Sequence, residues 1–122
     1  MQINDPAVVA EVTALYKSYQ DAILSNDTAL LNQLFWNDAR TIRYGTGENL
    51  YGHAAIAAFR SAIKPGQHAR VVTREVVTTY GRDFATTNCE YTRGEHKGRQ
   101  SQTWARMPEG WRIVSAHVSY MT

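Results

Sequence analysis

Near the start of the chain, apolar positions recur every three to four residues: Val8, Val12, Leu15, Tyr19 and Ile23, with Tyr16 beside them. That spacing predicts an amphipathic helix. Asp5-Pro6 supplies its start, an N-cap acid followed by proline at the first helical position. "SND" ends it, and Asp27 caps a second, shorter helix through "TALLNQLFW". "NDA" breaks into a strand, "ARTIRYG", and the glycine-rich "GTGENLYG" reads as a loop. A third helix, "HAAIAAFRSAI", carries Ile56, Phe59 and Ile63 on one face and stops at Pro65-Gly66.

The period then changes. "ARVVTREVVTTYG", "DFATTNCEYTRG", "RQSQTWARM" and "GWRIVSAHVSY" are rich in valine, threonine and aromatics, as strands are, and hairpin-length separators divide them. Three helices with one early strand, then an antiparallel meander of four, predict an α+β layer fold. Nothing resembling a linker divides the chain, so one domain over residues 1–122 is expected.

Strict alternation assigns the strand faces. In "ARTIRYG", Arg40, Ile42 and Tyr44 point one way and Thr41, Arg43 and Gly45 the other. Periodicity alone does not choose which arginine faces the core. "ARVVTREVV" offers two registers, so it does not settle whether Arg70 or Arg74 lines the pocket. In the last strand Trp111, Ile113, Ser115, His117 and Ser119 share one face. Val114, Ala116 and Val118 lie on the other, as an apolar strip on the outside of the sheet. Such a strip predicts a homodimer through that outer face.

Composition narrows the function classes. Formal net charge is +2, and basic and acidic residues are interspersed, with no basic stripe for nucleic acid. No apolar run is long enough to span a membrane and no basic n-region opens the chain, so a cytoplasmic protein is expected. The single cysteine, Cys89, reads as a packed small residue. Four histidines are scattered without metal-ligand spacing, so neither metal nor other cofactor is expected. Of the thirteen basic residues ten are arginine, whose planar fork matches carboxylates.

Several polar residues fall on core faces: Tyr19, His117, Gln102 beside Trp104, and Arg43 if Thr41 faces in. Together they predict a cavity with hydrogen-bonding groups around its wall. A buried arginine needs a negative partner. Glu90 is the structural candidate, and a ligand carboxylate is the functional one.

The whole chain resembles the nuclear-transport-factor-two-like (SnoaL-like) superfamily in its element order and in "YGHAAIAAFR" and "GWRIVSAHVS". More narrowly, "NDTALLNQLFWNDARTIRYGTGENLYG" and "GRQSQTWARMPEGWRIVSAHVS" resemble the AtzH-like family, which includes the oxalurate-catabolism proteins called HpxZ. The resemblance implies a cystatin-like cone, three helices on a curved antiparallel sheet enclosing a pocket, in a dimer. Against ketosteroid isomerase of the same superfamily, Tyr19 falls at the oxyanion-binding tyrosine, Arg43 at the catalytic aspartate and Gln102 at the second oxyanion donor. This comparison turns Arg43 inward and Arg40 outward. A cation in place of the base argues against steroid isomerisation and for gripping an anion.

The family implies small ureido acids as ligands. Two functions follow. In an enzyme, Arg43 anchors the carboxylate, Tyr19 donates to an oxyanion and His117 is general acid or base, for hydrolysis or decarboxylation. Gln102, Trp104, Arg74 and Glu90 complete the expected binding set. In the alternative, the dimer binds a small anion without chemistry, or supports a partner amidase.

Overall fold

The computed structural model describes residues 1–122. Along the chain run α1 (Pro6–Ser25), α2 (Thr28–Leu34), β1 (Ile42–Tyr44), β2 (Asn49–Tyr51), α3 (His53–Ser61), β3 (Val71–Tyr80), β4 (Phe84–Arg93), β5 (His96–Met107) and β6 (Gly110–Tyr120). The strands form one sheet in the order β2-β1-β6-β5-β4-β3. All neighbours are antiparallel except β1 and β6, which run parallel. The architecture is the expected α+β, cystatin-like one.

The helix starts are set locally. The Asp5 carboxylate accepts from the Ala7 N–H at 3.0 Å, and Asp27 accepts from the Leu30 N–H at 3.1 Å. Each occupies a backbone donor that the helix itself leaves free. Asn26, in the left-handed region at φ 54°, turns the chain between the two helices. Its side chain donates to the Ile63 carbonyl at 3.1 Å, tying that corner to the end of α3. α2 stops at Leu34, two residues short of the expected "FW", because Phe35 leaves the helix to bridge Ile113 of β6. The "GTGENLYG" loop also differs: Asn49–Tyr51 folds back on β1 as a short antiparallel strand.

Val8, Val12, Tyr16, Tyr19 and Ile23 of α1 pack on the inner sheet face, made by Ala85, Cys89, Tyr91, Trp104, Trp111 and Ile113 among others. Two β-bulges determine which side chains reach that face. On β6, Trp104 pairs with Ile113 but Thr103 pairs with Ser115, so Val114 is an extra residue. A one-residue insertion inverts the facing of everything beyond it. Trp111 and Ile113 therefore point inward as expected, whereas farther along Ala116 and Val118 are buried and Ser115 and His117 are exposed. This corrects two expectations. His117 lies on the outer face, its ring edge-on to Tyr44 at 5.6 Å, and the outer apolar strip of Val114, Ala116 and Val118 does not form.

The second bulge lies on β3, where the register shifts between Val72 and Arg74. The skipped Thr73 hydroxyl donates to the Glu90 carbonyl at 3.1 Å. Val72 packs on the core, but Arg74 turns to the outside. Arg70, ahead of the bulge, stays inside.

Candidate functional site

A cavity of about 260 Å³ opens between α1, α3 and the inner face of the sheet. Its wall carries the guanidiniums of Arg43, Arg70 and Arg93, the hydroxyls of Tyr19 and Tyr91, and the side chains of Gln100 and His68. Glu48 is its only carboxylate.

Arg43 enters from β1. Thr41 and Arg43 are both buried, while Arg40 faces solvent and folds onto Asp38 at 2.9 Å. The partner of Arg43 is Glu48, at 3.0 Å from Nη1, supplied by the turn that follows the strand. Gly45 leaves room for that carboxylate: a Cβ there would lie 1.8 Å from Glu48 Oε1. The Arg43 guanidinium also stands 5.0 Å from the Phe59 ring centre, a cation–π contact. Its Nε is buried with no partner.

Arg70 reaches in from the residue before β3. Its Nη2 donates to Gln100 Oε1 at 2.6 Å and to Gln20 Oε1 at 2.8 Å. Its plane lies over the Tyr91 ring at 4.5 Å. That ring lies flat across β5 because its cross-strand neighbour is Gly98, where a Cβ would come within 2.2 Å of it. Arg93 donates to the Tyr120 hydroxyl. Beneath the cavity Arg60 of α3 is 1% exposed, and its Nε and Nη2 have no hydrogen-bond partner.

Tyr19, 1% exposed, stands at the centre of this cationic cluster. Gln100 Nε2 donates to its hydroxyl at 2.9 Å. Burial by itself pushes the phenol upward, but the charges of Arg60, Arg70 and Arg43, with the Gln100 donor, outweigh burial and hold it below its ordinary value. His68 is shifted downward as well. Burial and the charges of Arg93, Arg60 and Arg43 lower it to about 4, so near neutral pH the imidazole is uncharged.

The structure thus brings together Tyr19 and Arg43 of the expected set and separates the rest. His117, Arg74 and Glu90 lie on the outer face. Glu90 is therefore no partner for Arg43. Gln102 and Trp104 are buried below the cavity and tied to Thr87: Trp104 Nε1 donates to its Oγ1 at 3.1 Å, and that hydroxyl donates to Gln102 Oε1 at 2.9 Å. The glutamine at the cavity wall is Gln100, one step along the same face. Arg60 had a signal, standing four residues after Ile56 on the apolar stripe of α3. Arg93 shares the inner face with Tyr91, and Arg70 with Val72. His68 and Glu48 sit in connecting segments, where periodicity assigns no face.

No group of three or more His, Cys, Asp or Glu side chains is placed to hold a metal ion. No helix is long and apolar enough to cross a membrane.

The family model for AtzH-like proteins matches residues 1–122. The chain belongs to the AtzH-like family. A DUF3225-family protein of unknown function from Pectobacterium atrosepticum is 50% identical, with a TM-score of 0.95, over 98% of this chain and 95% of that one. A cystatin-like fold protein from Burkholderia xenovorans is 44% identical, with a TM-score of 0.94, over 100% and 98% of the two chains. An NTF2-like protein of unknown function from Pseudomonas putida shares the fold at 16% identity, with a TM-score of 0.81 over 94% and 87%. No curated protein matches the chain. Family and fold together suggest a small-molecule binding or accessory role.

Proposed function

We propose that this AtzH-like protein binds a small ureido carboxylate of the oxalurate type in the arginine-lined cavity. One observation carries the reading: three guanidiniums and a single carboxylate line one partly open cavity together with Tyr19. Buried cations without counter-ions are costly, and a bound acid supplies the missing charge. Arg43 and Arg70 grip carboxylate oxygens, and Tyr19 reaches a carbonyl or amide. The cavity is smaller than the roughly 300–1,000 Å³ of drug-sized sites, which favours an acid of a few heavy atoms over a steroid.

Calorimetric titration with oxalurate, oxamate and carboxylated ureas tests this. Saturable binding of at least one is expected. At about a hundredfold excess over Kd it adds about 2.7 kcal/mol to stability. No heat and no thermal shift with any of them sinks the proposal.

A catalytic reading is favoured by the depressed Tyr19 hydroxyl, a group suited to giving up a proton inside a cationic site. Release of ammonia or carbon dioxide from oxalurate, read in the same samples, separates hydrolysis or decarboxylation from binding alone. Without turnover, the alternative is a binding or accessory subunit, as expected for support of an amidase.

The protein is proposed to form a homodimer through residues of the outer sheet face other than Val114, Ala116 and Val118. Across the outer face Arg74 pairs in register with Glu90, and Glu90 with Arg99, next to the exposed Val76. A two-fold partner places its own mixed-charge row against this one. Sedimentation is expected to show a dimer that Val76→Glu splits; a wild-type monomer at micromolar concentration refutes it.

A further inference from the structure

The segment between α3 and β3, residues 62–70, covers one side of the cavity and turns at Gly66, with φ 80°. It carries His68 to the wall. The imidazole packs at a tilt on Phe59, with ring centres 6.2 Å apart. Phe59 is the same ring that meets the Arg43 guanidinium. Neither nitrogen of His68 has a hydrogen-bond partner in the protein, whereas Gln100 and Arg70 beside it are engaged. A half-buried imidazole with both nitrogens free, at the wall of a polar cavity, is a group waiting for a ligand.

Its charged surroundings come from every element packed about it. Arg60 faces it from α3, Arg43 from β1, Glu48 from the turn after β1 and Arg93 from β4, while Arg70 lines the same cavity from its own segment. Cations therefore dominate, and only Glu48 opposes them.

We propose that His68 is a proton-coupled contact for the ligand: an acid entering the cavity binds together with a proton, which moves from solvent onto an imidazole nitrogen as the carboxylate neutralises the arginines. The proposal rests on the small-acid reading above and goes further, because it makes the grip depend on pH. The sign follows from linkage. In the free protein burial and the surrounding arginines keep the imidazole neutral down to about pH 4. A bound carboxylate favours the imidazolium, so its proton affinity rises on binding. Between the free and bound values, binding takes up a proton, and affinity strengthens as pH falls, by at most about tenfold per pH unit for one site. Above the bound value the effect disappears. Charged His68 then donates a charge-assisted hydrogen bond to the anion.

The test is calorimetry of oxamate and oxalurate binding at about pH 6 in buffers of different ionisation enthalpy, whose slope counts protons. Net uptake of up to one proton is expected, with affinity rising from about pH 8 to about pH 5. His68→Asn is expected to bind without proton uptake and without that pH dependence. Binding with no uptake overturns this inference and leaves the small-acid reading standing. Uptake that survives in His68→Asn but disappears in Tyr19→Phe assigns the proton to the tyrosine, and also overturns it. Failure of both acids to bind removes the small-acid reading and this inference with it.

Discussion

Arg43→Met is expected to abolish detectable binding of small carboxylates while leaving the unliganded fold as stable as the wild type, or more so. The two halves have one cause. Arg43 is 4% exposed and surrounded by like charge, with Arg60 and Arg70 both around Tyr19. It has one ion pair, to Glu48, and an Nε with no partner. Methionine keeps the stem's packing near Phe59, removes a repelling cation and leaves Glu48, on its turn, able to meet water. Against that, a charge-assisted contact to a buried carboxylate costs about 2–5 kcal/mol when one partner is truncated. That is about thirtyfold to several thousandfold in Kd. Lysine restores the charge but not the fork, so Arg43→Lys falls between. Titration calorimetry and thermal unfolding on the same three proteins check this. An affinity retained within about threefold in Arg43→Met, or a large stability loss without ligand, makes the arginine structural.

The largest stability effect is expected at Trp104, and it separates the core from the cavity. Trp104 is 0% exposed and lies on the inner face opposite Ile113. Its indole N–H donates to Thr87 Oγ1, which in turn donates to Gln102. Trp104→Ala empties a large well-packed volume and leaves the Thr87 oxygen short of a donor. About 3–5 kcal/mol is the usual loss for such a change, a large share of the roughly 5–15 kcal/mol that holds a domain together. Trp104→Phe keeps most of the volume and loses the hydrogen bond, about 1 kcal/mol. Because Trp104 does not line the cavity, Trp104→Phe is expected to bind oxalurate as wild type does. Denaturant unfolding measures the first effect and calorimetry the second. Full stability in Trp104→Ala contradicts the packing, and lost binding in folded Trp104→Phe returns the tryptophan to the site.

These residues also show how much could be read in advance. Helix positions followed from local chemistry: Asp5-Pro6 and Asp27 make their capping bonds whatever the rest of the chain does. The apolar stripe of α1, with Tyr19 on it, is a consequence of period alone. Alternation is symmetric between two arginines three residues apart, so only resemblance to another strand turns Arg43 inward. Glu48 was legible only in part. "GTGE" announces a turn, but nothing local says that its acid folds back onto the strand it leaves.

By itself the sequence determined the fold class, the helix starts, the alternation along each strand outside its bulges, and a tyrosine on the apolar stripe of α1. These depend on neighbours within a few residues, where hydrogen-bond geometry and side-chain period act directly. Tertiary structure alone decided the rest. The extra residues at Thr73 and Val114 carry Arg74 and His117 to the outside and leave Arg70, Ala116 and Val118 within. A bulge is a mismatch between two strands, so neither strand's own pattern contains it. The charge of the cavity has the same origin. Arg43, Arg60 and Arg70 come from a strand, a helix and a connection, and only packing brings them around the Tyr19 hydroxyl, with Arg93 of a fourth element on the same cavity wall.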